Sequence, residues 1–416
     1  MLHGERNMPS HYDLIAIGGG SGGLAVAKKA VEFGKKVAII EGHKLGGTCV
    51  NVGCVPKKVM WYAASIAHAV SDASGFGIQV QNQVFDWETL IEGRDRYISM
   101  INASWNRTID NQGIDKIDGF AHFINSSTIE VNGDQYTADH IVIATGGQPI
   151  IPDLPGAELG ITSDDFFELH TQPQKVAVIG GGYIGVELAG VMQALGSQVE
   201  LILQSSTALR AFDPLISETV MENLKKLGVT IHTEFKISRL IEEQNSITLC
   251  AEDERTIDAC ESAIWAIGRR ANTEQLNLSA AGIKAQPNGN ISVDEYENTS
   301  INGIYAIGDI TGKAALTPVA IAAGRKLGER VFGKNKTSKL DYKNIPTVMF
   351  AHPPAGTVGL TESEARKKYD KVTTYTTRFT PMRYALAEHG FKTAMKLVCS
   401  GDNEQVVGIH LVGDGV

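Results

Sequence analysis

A chain of 416 residues is too long for one small core and asks for roughly two to four domains. Its 43% hydrophobic and 20% charged residues are those of an ordinary globular protein, and a net charge of −9 excludes a broad electrostatic footprint for nucleic acid. No apolar run reaches membrane-spanning length, and residues 1–10 hold no hydrophobic signal core; the chain reads as cytoplasmic, with that start a polar overhang or an early start ahead of Met8.

Residues 12–17 predict a strand, followed by Gly18-Gly19-Gly20-Ser21-Gly22-Gly23, a helix over 24–33 and a second strand over 36–40 ending at Glu41. This is a βαβ unit with G-x-G-x-x-G at Gly18, Gly20 and Gly23. Its acid lies 18 residues past the last glycine, where a ribose 2′-hydroxyl partner belongs. The glycine loop opens a helix, so pyrophosphate oxygens can meet unbonded backbone N–H groups there.

Just downstream, Cys49 and Cys54 enclose four residues in Gly46-Gly47-Thr48-Cys49-Val50-Asn51-Val52-Gly53-Cys54-Val55-Pro56-Lys57-Lys58. In a reducing compartment such a local pair is catalytic or metal-binding rather than structural. Zinc usually asks for a C-x2-4-C pair and a second pair elsewhere, and Cys49-x4-Cys54 has no second pair at such spacing, so no metal is expected. Cys250, Cys260 and Cys399 read as buried small hydrophobes.

The glycine device recurs: a strand over 175–179, then Gly180-Gly181-Gly182-Tyr183-Ile184-Gly185, a helix over 186–195 and a strand over 199–203. Two such units imply two dinucleotides. Each has a later apolar strand ending in a glycine turn, Ile141-Val142-Ile143-Ala144-Thr145-Gly146 and Ala263-Ile264-Trp265-Ala266-Ile267-Gly268. Ile304-Tyr305-Ala306-Ile307-Gly308-Asp309 is a further strand ending in an acid, and a β-rich pattern runs from Asn344 to the end.

From His11 onward these residues resemble the flavin disulfide oxidoreductases, and within them the glutathione reductases. The cysteine motif alone specifies only the superfamily. The closer likeness is carried by Tyr183-Ile184-Gly185-Val186-Glu187-Leu188-Ala189-Gly190, Trp265-Ala266-Ile267-Gly268-Arg269, Thr317-Pro318-Val319-Ala320 and His352-Pro353-Pro354-Ala355-Gly356-Thr357-Val358-Gly359. The resemblance implies an α/β fold with two Rossmann-like dinucleotide-binding domains of the three-layer ββα/α-β-α type. The second is inserted in the first, and a partial α+β interface domain follows. The implied boundaries are 1–160 with 293–340 for FAD, 161–292 for NAD(P) and 341–416 for an incomplete dimerisation domain.

By the same resemblance, FAD is held by Gly18, Gly20, Ser21, Gly22, Gly23, Glu41, Thr48, Cys49, Lys57, Thr145, Gly146, Asp309 and Thr317. The nicotinamide nucleotide lies along Gly180, Gly182, Tyr183, Ile184 and Gly185, with Glu187, Gln204, Arg210, Gly268 and Arg269. Hydride passes from nicotinamide to flavin to disulfide. Cys54 is the charge-transfer thiolate and Cys49 attacks the substrate disulfide. Lys57 and Glu187 pair beside the flavin, and Tyr183 covers the empty nicotinamide site.

Where relatives clamp the 2′-phosphate of NADPH with two arginines, this chain has Gln204 and Arg210. Gly185 stands where NADPH enzymes usually carry alanine, yet Leu203 stands where NAD enzymes need an acid. A lost fork weakens phosphate binding, and a missing carboxylate removes the grip on a 2′-hydroxyl. NADPH with reduced discrimination is expected, with NADH as the alternative. Ser21, Lys28, Trp105 and Arg325, with Arg107, take substrate-side positions. Their basic character suits anionic glutathione disulfide, whereas Ala25 and Lys28 argue against cationic trypanothione disulfide.

Dihydrolipoamide dehydrogenase is the alternative enzyme, though it usually has serine where Lys57 stands. Mercuric reductase would add a C-terminal cysteine pair. The family's catalytic base, a histidine donated across a homodimer, falls beyond Val416, so His352 and His410 are expected as core or strand-end residues instead. The sequence therefore reads as truncated, of low activity, or even as a flavin- and nucleotide-binding fragment.

Overall fold

The computed structural model describes residues 10–81 and 84–416. Apart from Ser10, which begins a strand, the expected N-terminal overhang lies outside the described residues. The chain forms two compact units. The first gathers the chain up to Pro56, Asp95–Gln148 and Arg269–Tyr342, and the second Lys57–Arg94, Pro149–Gly268 and Lys343–Val416.

In the first unit, strand Ser10–Ile17 pairs in parallel with Val37–Glu41 on one side and Asp134–Ile143 on the other. Leu14 to Ile17 are all buried, as a central strand covered on both faces requires. Period-2 alternation splits them between two cores. Ile15, Ile17, Ala38 and Ile40 join one cluster with Phe123, Ile129, Ile283 and Ile291. Leu14, Ala16, Val37 and Ile39 join the other, with Leu24, Ala27 and Leu327 from the helices Ser21–Val31 and Thr317–Phe332. Strand Ile304–Ala306 returns late in the sequence to pair in parallel with Asp134–Ile143.

The second unit repeats the device with a five-stranded sheet, ordered Thr230–His232, Gln198–Ile202, Lys175–Ile179, Ser262–Trp265 and Ile161–Thr162, all parallel. Its C-terminal part is an antiparallel sheet ordered Thr347–Met349, Ala355–Gly359, Gln405–Val412, Thr393–Ser400 and Val372–Phe379. Both glycine-loop helices begin earlier than the sequence suggests, at Ser21 and Tyr183. The reason is local: Gly20 and Gly182 are extended N-caps, so the last glycines of each motif already lie in the first helical turn. Among the described residues no helix is long and apolar enough to cross a membrane.

Candidate active site

The first glycine loop leaves room where a phosphate would lie. A Cβ built on Gly20 would meet only the Gly47 Cα, at 3.8 Å. Gly20 has no left-handed backbone either, with φ −78°. Packing and conformation thus leave its lack of a side chain unexplained, and close approach of a ligand explains it. The helix Ser21–Val31 starts there without a side-chain cap, so its first N–H groups are directed at that space. Glu41, at the strand end, accepts from the Gly19 N–H at 2.7 Å through one oxygen and from the His43 N–H at 2.8 Å through the other. A carboxylate has about four acceptor positions, so a ribose hydroxyl still finds a lone pair.

Gly46 and Gly47 dock the cysteine segment onto this loop. The Gly46 N–H donates to the Gly19 carbonyl at 2.8 Å, and a Cβ on Gly47 would come 2.8 Å from the Gly20 Cα. Both glycines have positive φ, 97° and 59°. A side chain at Gly47 would therefore be strained and would push the cysteines off the loop. Cys49 follows in the short helix Gly47–Asn51, and Cys54 opens the helix Cys54–Asp72. The two form a close pair. Cys54 Sγ lies 3.5 Å from Thr317 Oγ1, at the first residue of the helix Thr317–Phe332. The positive ends of two helices therefore converge on this sulfur and stabilise negative charge there.

Lys57, one turn along the helix from Cys54, donates to Glu187 Oε1 at 3.0 Å. The same oxygen accepts from the Phe350 N–H at 2.7 Å. The Lys57 ammonium also lies 3.9 Å from the Phe350 ring centroid. Glu187 is buried, and burial pushes its carboxyl up against the lowering effects of Lys57 and the Phe350 N–H.

The second glycine loop shows the same open space, with nothing within 4 Å of a Cβ built on Gly182. Gly185 differs: a Cβ there would run into the Gly180 carbonyl, so close helix–strand packing demands glycine at this site. Tyr183 opens the helix Tyr183–Ala194 and is 42% exposed on the loop. The segment 204–210 is tied back to the loop, because the Leu209 N–H donates to the Gly181 carbonyl at 2.7 Å. Gln204 and Arg210 are both exposed there.

Residues 12–324 match the family model for pyridine nucleotide-disulphide oxidoreductases, and 345–416 match that family's dimerisation domain. The chain belongs to the pyridine nucleotide-disulphide oxidoreductases. The glutathione reductase of Yarrowia lipolytica is 44% identical over 427 residues, spanning 97% of this chain and 90% of that one. Among solved structures, the HOCl-induced flavoprotein disulfide reductase RclA from Escherichia coli is similar with a TM-score of 0.86 and 26% identity, over 96% of this chain and 89% of that one. Membership of this flavin disulfide reductase family implies FAD and a pyridine nucleotide as cofactors. The two open glycine loops fit them.

The other residues that the oxidoreductase resemblance singled out fall into groups. Thr145 Oγ1 donates to the Asn272 carbonyl at 2.8 Å, and Asn272 Nδ2 returns to the Thr145 carbonyl at 3.1 Å. Arg269 Nη2 donates to the Gly147 carbonyl at 2.6 Å. Burial pushes the Asp309 carboxyl up, and the charge of Arg269 opposes it. Lys28 Nζ lies 5.3 Å from the Trp105 ring centroid, whereas Arg107 and Arg325 stand exposed on the helices Trp87–Asn111 and Thr317–Phe332. His352 and His410 are both buried, as are Cys250, Cys260 and Cys399.

Sequence reasoning missed Phe350 and Asn272. Phe350 reaches Glu187 through its backbone N–H, which carries no residue-type signal, and Asn272 meets Thr145 through both its carbonyl and its side-chain amide across 127 positions, which no local motif announces.

Proposed function

We propose that this chain reduces glutathione disulfide to glutathione with NADPH, through FAD and the Cys49–Cys54 pair. The observation that carries the reading is Cys54 at a helix start with its sulfur 3.5 Å from Thr317 Oγ1, in a segment that Gly46 and Gly47 dock on the first glycine loop. When bound, FAD and the nicotinamide nucleotide supply the electron pair that returns the disulfide to a dithiol. The Cys49 thiolate attacks one substrate sulfur, forming a mixed disulfide and releasing the first glutathione thiolate. The Cys54 thiolate then attacks the Cys49 sulfur, which re-forms the Cys49–Cys54 bond and releases the second. Two electrons leave the dithiol, and the two product thiolates take up two protons.

Lys28, stacked near Trp105, and the exposed Arg107 and Arg325 suit the carboxylates of glutathione disulfide. Ser21, in the first turn of its helix, belongs to the same substrate side. Lys57 and Glu187 are assigned beside the flavin and Tyr183 over the nicotinamide site. Arg210 supports NADPH, and Gln204 in place of a second arginine supports weakened discrimination against NADH.

The assigned domains are 1–160 with 293–340 for FAD, 161–292 for the nicotinamide nucleotide and 341–416 for dimerisation. A homodimer is proposed, supported by the dimerisation-domain match. The proposed setting is the cytoplasm.

The purified protein should oxidise NADPH with glutathione disulfide at least about tenfold faster than with lipoamide. Cys49→Ser should remove that activity by a factor of about 100 or more while anaerobic NADPH still reduces the bound flavin. Flavin bleaching without turnover of any disulfide would leave only a nucleotide-binding module, and a higher kcat/KM with NADH would overturn the NADPH assignment.

A further inference from the structure

Arg210 is preceded by a residue in a conformation that something must hold. Leu209 has φ 57°, in the left-handed region that a bulky side chain rarely adopts. Its N–H donates to the Gly181 carbonyl at 2.7 Å, inside the second glycine loop. Its carbonyl accepts from the Phe212 N–H at 2.8 Å and from Ser217 Oγ at 3.1 Å, and its side chain is buried. The segment 204–210 therefore hangs between the glycine loop and the helix Pro214–Lys226.

That helix is in turn fixed at its start. Asp213, fully buried, caps it by accepting from the Leu215 N–H at 3.0 Å. The same oxygen accepts from Lys396 Nζ at 2.8 Å, and the other accepts from the Glu362 N–H at 3.1 Å. Lys396 also donates to Glu362 Oε2 at 2.9 Å. Lys396 sits mid-strand in Thr393–Ser400, paired with Thr376 on one side and His410 on the other, so its backbone has little freedom. Buried His410 lies 4.0 Å from Asp213 Oδ2.

We propose that Lys396, in the C-terminal sheet, is a positioning residue for nucleotide recognition: through Asp213 and Ser217 it holds Leu209, and so aims Arg210 at the ribose 2′-phosphate. The inference rests on the reading that the second glycine loop takes a nicotinamide nucleotide. Without the ammonium, the Asp213 carboxylate has backbone donors but no charge opposite it, and the helix start shifts to find water. The carbonyl of Leu209 moves with Ser217, and the strained residue relaxes. A displaced Arg210 costs the nucleotide that carries a 2′-phosphate and leaves the other nearly untouched.

The test compares Lys396→Met, Lys396→Arg and Ser217→Ala holoenzymes with the parent, by flavin reduction and steady-state kinetics with NADPH and NADH. Lys396→Met should raise the NADPH dissociation constant roughly 5- to 10-fold and the NADH constant less than about twofold, with kcat at saturating NADPH within about twofold. Lys396→Arg, which keeps the charge, should recover most of the loss. Ser217→Ala folds without a buried charge left over and should raise the NADPH constant roughly threefold.

If Lys396→Met lowers only the melting temperature, or if the NADPH-to-NADH ratio stays at the parent value in Ser217→Ala, the proposal is overturned. A parent protein whose flavin accepts electrons from neither nucleotide would instead bring down the functional reading beneath it.

Discussion

A buried carboxylate is tolerated only where its charge is answered, and one oxygen of Glu187 is answered twice, by Lys57 and by the Phe350 N–H. Glu187→Ala would leave an ammonium and an amide without an acceptor. Loss of one partner from a buried pair costs about 3 to 5 kcal/mol, and because this lysine keeps 14% exposure and can reach water, the lower end applies. Glu187→Gln keeps an acceptor for both donors and loses only the charge, so it should cost about half as much. Urea denaturation of both variants checks this, and equal losses would mean that the charge of Glu187, rather than its hydrogen bonding, holds the site. At this scale the sequence is a partial guide. Glu187 and Lys57 stand in motifs, but Phe350 meets Glu187 across 163 positions and Lys396 meets Asp213 across 183. Nothing local announces such partners.

Elements were legible where the pattern is short and repeated. Both βαβ units appear because strand, glycine loop and helix are consecutive, and their starts shift only where glycines enter the helix. The helices Trp87–Asn111, Pro214–Lys226 and Thr317–Phe332 stand outside these repeated units and carry no motif of that kind, though some helices have readable ends. Asp213-Pro214 is an N-cap followed by proline in the first turn, and Thr361 with Glu364 is a capping box.

The helix Cys54–Asp72 also carries an unannounced burden in a cluster of edge-to-face histidines. His68 lies 4.8 Å from the His352 ring and 5.7 Å from that of His389, which meets Asp72 at 3.3 Å. His68 Nε2 and His352 Nδ1 are buried without hydrogen bonds. Burial first, then the neighbouring His389, pushes His68 down to about 4; burial, then His68, pushes His352 down to about 3. An unfolded histidine titrates near about 6.5, so below that pH the unfolded chain binds more protons than the folded one. Stability should therefore fall as pH drops from about 6.5 through about 4, by about 1.4 kcal/mol per pH unit for each histidine. His68→Leu should remove one such contribution from the slope of the urea midpoint against pH. An unchanged slope would mean that the imidazole titrates normally in the folded protein.

At the scale of the whole molecule, the alternation in the C-terminal sheet leaves one face to be explained. Along Thr393–Ser400, Lys396 turns inward to Asp213 while Met395 and Leu397 remain 39% and 38% exposed. Met395 pairs across the ladder with Thr377, and Leu397 with Tyr375, itself 50% exposed. Polar residues usually cover the solvent face of an antiparallel sheet, so apolar cross-strand neighbours suit a face that is itself covered. The match of 345–416 to a dimerisation domain makes a second copy of the chain the partner expected to cover it. Leu397→Asp places a charge at that seam with no partner opposite, and the dimer should weaken by a factor of roughly 100. Sedimentation velocity across a dilution series reads this directly, with flavin absorbance reporting that each subunit remains folded. A variant that sediments as the parent dimer at every concentration would move the interface elsewhere, and a monomeric parent would remove the homodimer altogether.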